Sequence, residues 1–292
     1  MIEILTPGMF TTVQDLGRIG YAHLGVPRSG AADLRSLRLA NRLVGNDESA
    51  ACLEVTFGGV AMRFHQPTVV ALTGAPAPAR LGPVSVSSDR WLFSRAGDVL
   101  ELGMPAEGVR TYVAVAGGVD VPPIMGSRSC DTLSGLGPPA LRAGQHLAVG
   151  RPHQPAPSSP DCLASPVPYG AEVAVRYRRG PRDDWFSEAT FDLFERSRWI
   201  LTADSNRVGG RLSGPPIAVS REDQLPSEGM VLGSIEIPPS GQPIVFLADH
   251  PTTGGYPVIG VVEDDDVAVL AQTRPGASVR FVRQRPGQAA RR

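Results

Sequence analysis

The apolar residues of the chain fall into short runs that glycine, proline, asparagine or aspartate interrupt every few positions. Runs of this length, either alternating or continuously apolar, are typical of β-strands joined by tight turns. The pattern predicts strands over residues 69–73, 85–87, 111–116, 171–176, 199–203, 243–248 and 278–282. A chain with many short strands and few helices is expected to be mainly β, and closed β-barrels are favoured over a sheet of alternating strands and helices.

Two segments instead show the period of an amphipathic helix. Residues 31–44 carry apolar side chains on one face, and Gly45-Asn46 follow as a stop signal. Residues 184–196 bring a tryptophan and two phenylalanines together and carry acidic residues in their first turns, where the helix dipole favours negative charge. We therefore predict two helices in addition to the strands.

The length and one change in composition indicate two domains. The chain has 292 residues, which is long enough for two hydrophobic cores. Residues 151–170 contain six prolines, and proline removes a backbone donor and fixes φ, so a linker is expected there. The predicted domains are residues 1–150 and 171–285, followed by a tail at residues 286–292.

Composition and charge exclude several classes of function. The chain is 42% hydrophobic and 20% charged, which excludes disorder over its whole length. A net charge of -1 gives no broad basic surface, so nucleic acid is not an expected partner. All 28 basic residues are arginine. A Schiff-base amine, a phosphate-loop lysine or a biotinyl-lysine would therefore have to come from another chain.

The cysteines, the histidines and the N-terminus give further expectations. The three cysteines and five histidines lack the spacing of a disulfide framework or a zinc site, so no metal is expected. The first residues lack the basic region of a signal peptide. No apolar run approaches the roughly 20 residues of a membrane helix. We expect a cytoplasmic protein with no membrane partner.

The densest group of polar side chains lies in an N-terminal loop at residues 13–33. Four glycines between positions 17 and 30 let the backbone approach a ligand closely and adopt positive φ. The candidate residues of this loop are Gln14, Asp15, Arg18, Ser29 and Gly30. Ser29 and Gly30 precede the predicted helix, whose free N–H groups favour an anion. The alternative is an ordinary turn with an Asp15–Arg18 ion pair and a Ser29 helix cap.

A second polar loop follows a predicted strand at residues 246–257. Thr252 and Thr253 precede two glycines, and hydroxyls together with backbone N–H groups can bind an oxyanion. Asp249 can act as a base or an orienting group, and His250 as an acid or base. The alternative is a hairpin turn with a solvent-exposed histidine.

Three further charged residues are candidates. Arg207 and Arg211 lie four residues apart around two glycines, which suits a clamp for carboxylate or phosphate. Glu228 stands between apolar segments, as a buried catalytic carboxylate can. The alternatives are surface arginines on a turn and a solvated loop glutamate.

Two other segments give weaker signals. The loop at residues 116–129 can hold an anion or form an ordinary turn. The acidic run at residues 263–266 favours a solvated face over a metal site.

Together, these loops resemble those of one family. The segments VQDLGRIGYAHLGVPRSGAAD, VAVAGGVDVPPIMGSRS, SNRVGGRL, SEGMVLGSIEIPPSGQPIVFLAD and TTGGYPVIG occur in the order found in the allophanate hydrolase subunit 2 family, which is also called biotin-dependent carboxyltransferase or the C subunit of 5-oxoprolinase. The resemblance spans residue 1 to about residue 283. Pro251 departs from it, because many relatives carry glutamine just before TTGGYP.

The resemblance implies a fold, partners and chemistry. The fold would be mainly β, with two cyclophilin-like β-barrel domains and a few short helices. The partner would be an allophanate hydrolase subunit 1-like protein, which is also known as the B subunit of 5-oxoprolinase, and the A subunit of 5-oxoprolinase would join the pair. Such sets open 5-oxoproline to glutamate with ATP, whereas the equivalent region of urea carboxylases transfers carboxylate from carboxybiotin to urea. Biotin would be carried by another chain.

We assign roles to the matched positions. Asp15, Glu228 and Asp249 are predicted to handle a proton, and Thr252 and Thr253 to hold an oxyanion. The predicted substrate- and anion-binding residues are Gln14, Arg18, Ser29, Gly30, Arg207, Arg211, Gly254, Gly255 and Tyr256.

Three functional hypotheses follow. The leading one is a subunit of a hetero-oligomeric, ATP-dependent 5-oxoprolinase, because urea carboxylases are typically much longer fused chains; ATP would be bound by the complex. The second is the carboxyltransferase subunit of a biotin-dependent urea carboxylase or allophanate hydrolase system. The third is a regulatory binding module that sequesters an inhibitor of a kinase.

Overall fold

The structure is a computed structural model that describes residues 1–152, 170–221 and 223–284. Among these residues, one compact unit comprises residues 1–20 and 28–152, and a second comprises residues 21–27, 170–221 and 223–284. Most of the predicted linker and the whole predicted tail lie outside the described residues. The domain boundaries therefore stay a prediction.

The first unit contains twelve described strands and one α-helix. The strands are β1 Ile2–Pro7, β2 Phe10–Gln14, β3 Cys52–Thr56, β4 Val60–Phe64, β5 Thr68–Gly74, β6 Ala79–Leu81, β7 Val84–Val86, β8 Arg90–Ser94, β9 Val99–Leu102, β10 Arg110–Val115, β11 Val119–Asp120 and β12 His146–Val149, and the helix is α1 Leu34–Leu43.

The strands of the first unit form two antiparallel sheets around a shared core. One sheet has the order β11-β12-β1-β4-β9-β6-β7 and the other β2-β3-β10-β5-β8. Apolar side chains from both sheets, including Ile4, Phe64, Leu72 and Val113, form one buried cluster. Burial of this apolar surface is the main favourable term for the unit.

Strand β10 is buried on both faces, because the seven-stranded sheet packs against one face of its sheet and α1 covers the other. All six residues of β10 are buried. Val113 points into the cluster between the sheets, whereas Tyr112 and Ala114 contact the apolar face of α1. The continuous apolar run in the sequence reflects this double burial.

The second unit contains a closed seven-stranded barrel. The strands and α-helices of the second unit are β13 Glu172–Arg179, α2 Glu188–Arg196, β14 Trp199–Leu201, β15 Gly209–Ser213, β16 Glu228–Gly229, β17 Ser234–Glu236, β18 Ile244–Phe246, β19 Thr253–Gly254, β20 Val258–Val262, α3 Asp264–Gln272 and β21 Ser278–Arg283. The barrel order is β13-β20-β17-β18-β15-β14-β21, and a parallel pairing of β13 with β21 closes it. Strands β16 and β19 form a separate two-stranded sheet.

Helix α2 packs against the barrel through an aromatic cluster. The ring of Phe194 stacks on Phe281 at a centroid distance of 4.5 Å and meets the edge of Tyr177 at 5.3 Å. The indole N–H of Trp199 donates to the carbonyl of Phe194 at 3.1 Å, which satisfies the one polar group of that buried ring.

The sequence predicted the type of fold and most of its elements. The mainly β prediction is confirmed, and the second unit has the expected closed barrel. In the first unit the described strands form two packed sheets. Every predicted strand overlaps an observed strand, and both predicted helices are present with later starts, at Leu34 and Glu188.

Helix α3 was not predicted. Its apolar residues are buried almost throughout, so no polar face shows the helical period in the sequence. The acidic run at residues 263–266 supplies its N-cap and first turn, where negative charge is favourable. Asp266 is buried and receives two hydrogen bonds, of 2.9 and 2.7 Å, from the Arg176 guanidinium. The interpretation as a solvated face therefore holds for only part of the run.

No helix among the described residues is long and apolar enough to cross a membrane.

The aromatic cluster gives a test of the barrel packing. Phe194→Ala removes a fully buried ring, so we expect the free energy of unfolding to fall by about 3–5 kcal/mol in urea denaturation. Leu193→Ala, at the neighbouring position where the side chain is 40% exposed, should cost less than about 1 kcal/mol. Similar losses in the two variants would contradict the described orientation of α2.

Candidate functional site

Two segments of the N-terminal loop, residues 15–18 and 28–31, run side by side and share backbone hydrogen bonds of 2.7 and 2.9 Å. Gly17 and Gly30 make this approach possible. A Cβ atom on Gly17 would lie 2.5 Å from the carbonyl oxygen of Arg28, and one on Gly30 would lie 2.9 Å from the backbone nitrogen of Gly17. Both glycines have positive φ, 86° and 96°. The glycine-rich pattern thus reflects close backbone packing.

The Asp15 carboxylate is the centre of this loop. Its Oδ1 accepts hydrogen bonds from the Gly17 N–H at 2.8 Å, the Ser127 hydroxyl at 2.7 Å and the Ser129 hydroxyl at 2.6 Å. Its Oδ2 accepts from the backbone N–H of Arg128 at 2.6 Å. Four donors fill most of the accepting capacity of the carboxylate. Asp15 therefore holds the loop to the segment at residues 127–129.

Arg18 is a buried cation for which the described residues supply no matching anion. Its side chain is 1% exposed, and its Nη2 donates to the carbonyl oxygen of Ser129. Its Nε and Nη1 have no hydrogen-bond partner, and Arg18 forms no ion pair within the described part of the chain. The alternative of an Asp15–Arg18 ion pair is wrong, because the Asp15 carboxylate instead accepts hydrogen bonds from serine hydroxyls and backbone N–H groups. A buried charge without an ionic partner is unfavourable by several kcal/mol. The predicted role of Arg18 in binding an anion stays a prediction.

Gln14 and Ser29 meet at one backbone carbonyl. The side-chain amide of Gln14 donates to the Cys130 carbonyl at 2.9 Å, and the Ser29 hydroxyl donates to the same oxygen at 3.2 Å. The Oε1 atom of Gln14 is buried without a partner among the described residues. Ser29 has a φ of 53°, a strained conformation for a residue with a Cβ. Strain of this kind clusters at functional sites.

Asp33, and not Ser29, caps helix α1. Its Oδ1 accepts from the Ser36 N–H at 3.1 Å, so a side-chain carboxylate occupies the helix N-terminus that was expected to attract an anion. Behind it, the buried Glu54 carboxylate accepts from the Ala32 N–H at 2.9 Å and from the Tyr112 hydroxyl at 2.7 Å. Burial raises the pKa of Tyr112 well above its usual range, with the nearby Glu54 charge as a further cause. The tyrosine therefore stays a neutral hydrogen-bond donor.

In the second unit, Arg207 and Asp249 neutralise each other. The guanidinium donates from Nε and Nη2 to the two carboxylate oxygens at 2.9 and 3.0 Å, and the side chains are 3% and 0% exposed. The Asp249 N–H also donates to the Arg207 carbonyl at 2.9 Å. This bidentate pair joins the start of β15 to the loop after β18. The predicted roles of Arg207 in gripping substrate and of Asp249 as a base stay predictions.

The TTGG segment forms a small two-stranded sheet with Glu228. In this sheet Thr253 pairs with Gly229, and Gly254 pairs with Glu228. The Glu228 carboxylate forms an ion pair with Arg182, with Nε of the arginine 3.0 Å from Oε2. The predicted catalytic carboxylate is therefore engaged by a cation.

The other predicted residues of this loop are accessible. Thr253, Gly255 and Tyr256 are exposed, and Thr252 is half-buried.

Arg211 is exposed on β15 and forms no ion pair within the residues described. His250 is buried, with its ring stacked on Phe246 at 6.0 Å, which corrects the interpretation of an exposed loop histidine.

Glu236 is a buried acid that the sequence analysis did not identify. It lies on β17, is 6% exposed, and accepts one hydrogen bond from the Tyr256 N–H at 3.3 Å. A Cβ atom on Gly254 would lie 2.7 Å from its Oε1, so the TTGG segment crosses close to this carboxyl group. Burial raises the pKa of Glu236 above its usual value, and the single backbone hydrogen bond lowers it less. A carboxyl group of this kind suits proton transfer.

A concavity of about 630 Å³ lies elsewhere in the second unit, between β13 and the start of α3. Its three arginines are already paired, Arg176 with Asp266, Arg178 with Glu263, and Arg179 with Glu188. None of the predicted site residues lines this concavity. Its charges balance locally, so we do not assign it a ligand.

Comparison with known proteins identifies relatives along almost the whole chain. The family model described as the carboxyltransferase domain, subdomain A and B, matches residues 24–283. The chain is 40% identical over 285 residues to the C subunit of 5-oxoprolinase from Escherichia coli strain K12, in a match that covers 97% of this chain and 91% of that protein. It is 32% identical over 307 residues to urea amidolyase of Lachancea kluyveri, in a match that covers 96% of this chain and 17% of that protein.

The fold is also similar to that of solved structures. The crystal structure of TTHA0988 in space group P212121 has a TM-score of 0.86 and 34% sequence identity. The match covers 96% of this chain and 55% of that chain. The chain thus spans most of the Escherichia coli protein but about half of TTHA0988.

The environment of Glu236 makes a prediction about stability and pH. Because its pKa is raised in the folded state, the folded state binds this proton more tightly than the unfolded state does. Stability from this group is present at low pH and is lost as the pH rises through the raised pKa. Glu236→Gln mimics the protonated form, so its melting temperature should exceed that of the parent by a few degrees at pH 8, and the gap should close toward pH 4.

Glu228→Gln is the matched control for this measurement. Glu228 forms an ion pair with Arg182, so its replacement should give no gain at pH 8. An equal gap between Glu236→Gln and the parent at every pH would contradict the described environment.

Proposed function

The chain belongs to the family of the carboxyltransferase domain, subdomains A and B, and on that basis we propose that it is a component of a hetero-oligomeric, ATP-dependent 5-oxoprolinase. Its partner in this proposal is a protein like the B subunit of that enzyme, and the A subunit joins the pair. The complex would convert 5-oxoproline, ATP and two waters to glutamate, ADP and phosphate. Each unit of the chain would have the cyclophilin-like fold that the family resemblance implies.

The observation that carries the proposal is the match in both identity and length. The chain is 40% identical to the C subunit of 5-oxoprolinase from Escherichia coli and covers 91% of that protein. It covers only 17% of the urea amidolyase of Lachancea kluyveri. The match to the subunit extends over nearly all of that protein, which favours the 5-oxoprolinase component.

The first unit supports binding of a carboxylate. The 5-oxoproline substrate carries a carboxylate on a five-membered lactam. Arg18 has two donor atoms, Nε and Nη1, without a partner among the described residues, and charge-assisted hydrogen bonds from a guanidinium favour a carboxylate. Because both donors are buried, the anion would enter only if the covering backbone, which includes Gly137 near Nη2, moves aside. In this proposal Asp15 is a positioning residue for Arg18.

The second unit offers a separate candidate site, with groups that can handle a proton and a developing oxyanion. Opening the lactam breaks the C–N bond, adds a water oxygen to the carbonyl carbon and places a proton on the nitrogen. Glu236 is a buried acid with a raised pKa, and the accessible Thr252 and Thr253 hydroxyls lie in the segment that crosses it. Exposed Arg211 is a second candidate for an anion. Arg207 and Asp249 would keep the loop in position through their ion pair.

ATP supplies the free energy for opening the lactam in this proposal, and the complex as a whole would bind it. This chain contains no lysine, so it lacks the P-loop lysine that contacts nucleotide phosphates. No residue of the chain is therefore assigned to the nucleotide.

A carboxyltransferase component of a biotin-dependent urea carboxylase is the second candidate. The 32% identity to urea amidolyase over 96% of this chain favours it. Biotin would then be attached to another chain. Urea has no carboxylate, so Arg18 would bind the carbonate anion in that reaction.

Reconstitution with the partner proteins tests the proposal. The purified chain alone should hydrolyse ATP well below about 1 s⁻¹, the low end of typical turnover. The complex should hydrolyse ATP only with 5-oxoproline, form glutamate, and be insensitive to avidin.

Other outcomes identify the alternatives. Dependence on bicarbonate, turnover of urea and inhibition by avidin would contradict the proposal and favour the carboxyltransferase. A stable complex that consumes neither substrate would favour the binding module, in which the chain sequesters a kinase inhibitor.

A further inference from the structure

Two histidines and a glutamate meet on the first sheet of the first unit. Glu3 lies on β1, His65 directly follows β4, and His146 is the first residue of β12. One ligand atom from each residue lies within 4.8 Å of the other two. This is the distance range from which small rotamer changes bring three ligands onto one ion.

The three residues are held by the central strands of that sheet. Strand β1 lies between β12 and β4, and Glu3 is paired directly with His146. On the other side, the His65 N–H donates to the carbonyl of Met1 at 3.1 Å. The neighbours of Glu3 along β1, Ile2 and Ile4, are fully buried. Because side chains alternate along a strand, Glu3 points to the outer face.

The side chains already face one another. Nε2 of His65 is 3.3 Å from Oε2 of Glu3, and the rings of His65 and His146 stack at 5.7 Å with an interplanar angle of 27°. Their partial exposure leaves the site accessible to ions from solvent. Two imidazoles with one carboxylate are a ligand set for zinc and other late first-row metals, whereas magnesium and calcium prefer oxygen ligands.

We propose that Glu3, His65 and His146 form a binding site for a divalent late transition-metal ion such as Zn²⁺ or Ni²⁺. Three protein ligands leave at least one position for water. The ion would join strands β12, β1 and β4 through their side chains, and it would stabilise the folded chain because the unfolded chain has no such arrangement. The site belongs to none of the loops assigned to 5-oxoproline.

Arg63 makes the proposal more specific. Its Nη1 donates to Oε2 of Glu3 at 2.9 Å, so it orients the carboxylate and also competes with a metal for that oxygen. Loss of a ligand should therefore weaken metal binding, whereas loss of the Arg63 guanidinium should tighten it. A site that arises only from negative surface charge would not be weakened by replacing either histidine.

The test is calorimetric titration of the full chain, with any affinity tag removed, with Zn²⁺ and with Ni²⁺. We expect one ion per chain with a dissociation constant below about 100 µM, weakened at least tenfold in His65→Ala, His146→Ala and Glu3→Gln. Arg63→Met should tighten binding severalfold. His23→Ala, which removes an exposed histidine elsewhere, is the matched control and should bind like the parent.

Thermal unfolding gives an independent readout. Saturating Zn²⁺ should raise the melting temperature of the parent and of His23→Ala by a few degrees and leave His146→Ala unchanged. The proposal is overturned if neither metal binds the parent at 1 mM, or if His65→Ala and His146→Ala bind as tightly as the parent.

Discussion

The carboxylate of Asp15 is the interaction on which the N-terminal site depends. Three of its four hydrogen bonds join the loop at residues 14–18 to residues 127–129, more than one hundred residues away in the chain, and the fourth comes from Gly17 within the loop. Because neutral donors satisfy Asp15, its charge does not neutralise Arg18. The buried guanidinium keeps two donors without a partner in the described structure. An acidic and a basic residue three positions apart in sequence are thus not paired with each other. Asp15 holds the loop, and in our proposal Arg18 binds an anion.

The second unit distributes charge differently. Arg207 and Asp249 form a buried bidentate pair, and breaking such a pair leaves an uncompensated charge that costs about 3–5 kcal/mol. Glu228 is engaged by Arg182. Among the acids of this loop region that the structure describes, Glu236 has a hydrogen bond but no cation. In our proposal the residue that exchanges a proton is therefore Glu236. Little in the sequence points to it, because it lies within the apolar segment SIEIPP.

Local physics explains what the sequence predicted and what it did not. Glycine spacing indicated the positive φ of Gly17 and Gly30, and short apolar runs indicated the strands. The close approach expected to serve a ligand is an approach between two backbone segments in the structure. Through-space partners have no local signal, so Ser127 and Ser129 were seen only as a weak loop. The same holds for Glu3, His65 and His146, whose spacing along the chain shows nothing because three strands bring them together. Helix α3 was missed because its burial on nearly all sides removes the helical period.

The central claim of the proposal is that Arg18, which has no ionic partner among the described residues, binds the substrate carboxylate. Arg18→Met in the reconstituted complex tests it most directly, with KM for 5-oxoproline and the melting temperature of the isolated chain measured together. The account predicts a KM raised about 10- to 100-fold, from loss of hydrogen bonds between charged groups. It also predicts a melting temperature that does not fall, because an unpaired buried charge is replaced by an apolar side chain of similar length. A large fall in melting temperature with an unchanged KM would show that Arg18 supports the fold and does not bind substrate.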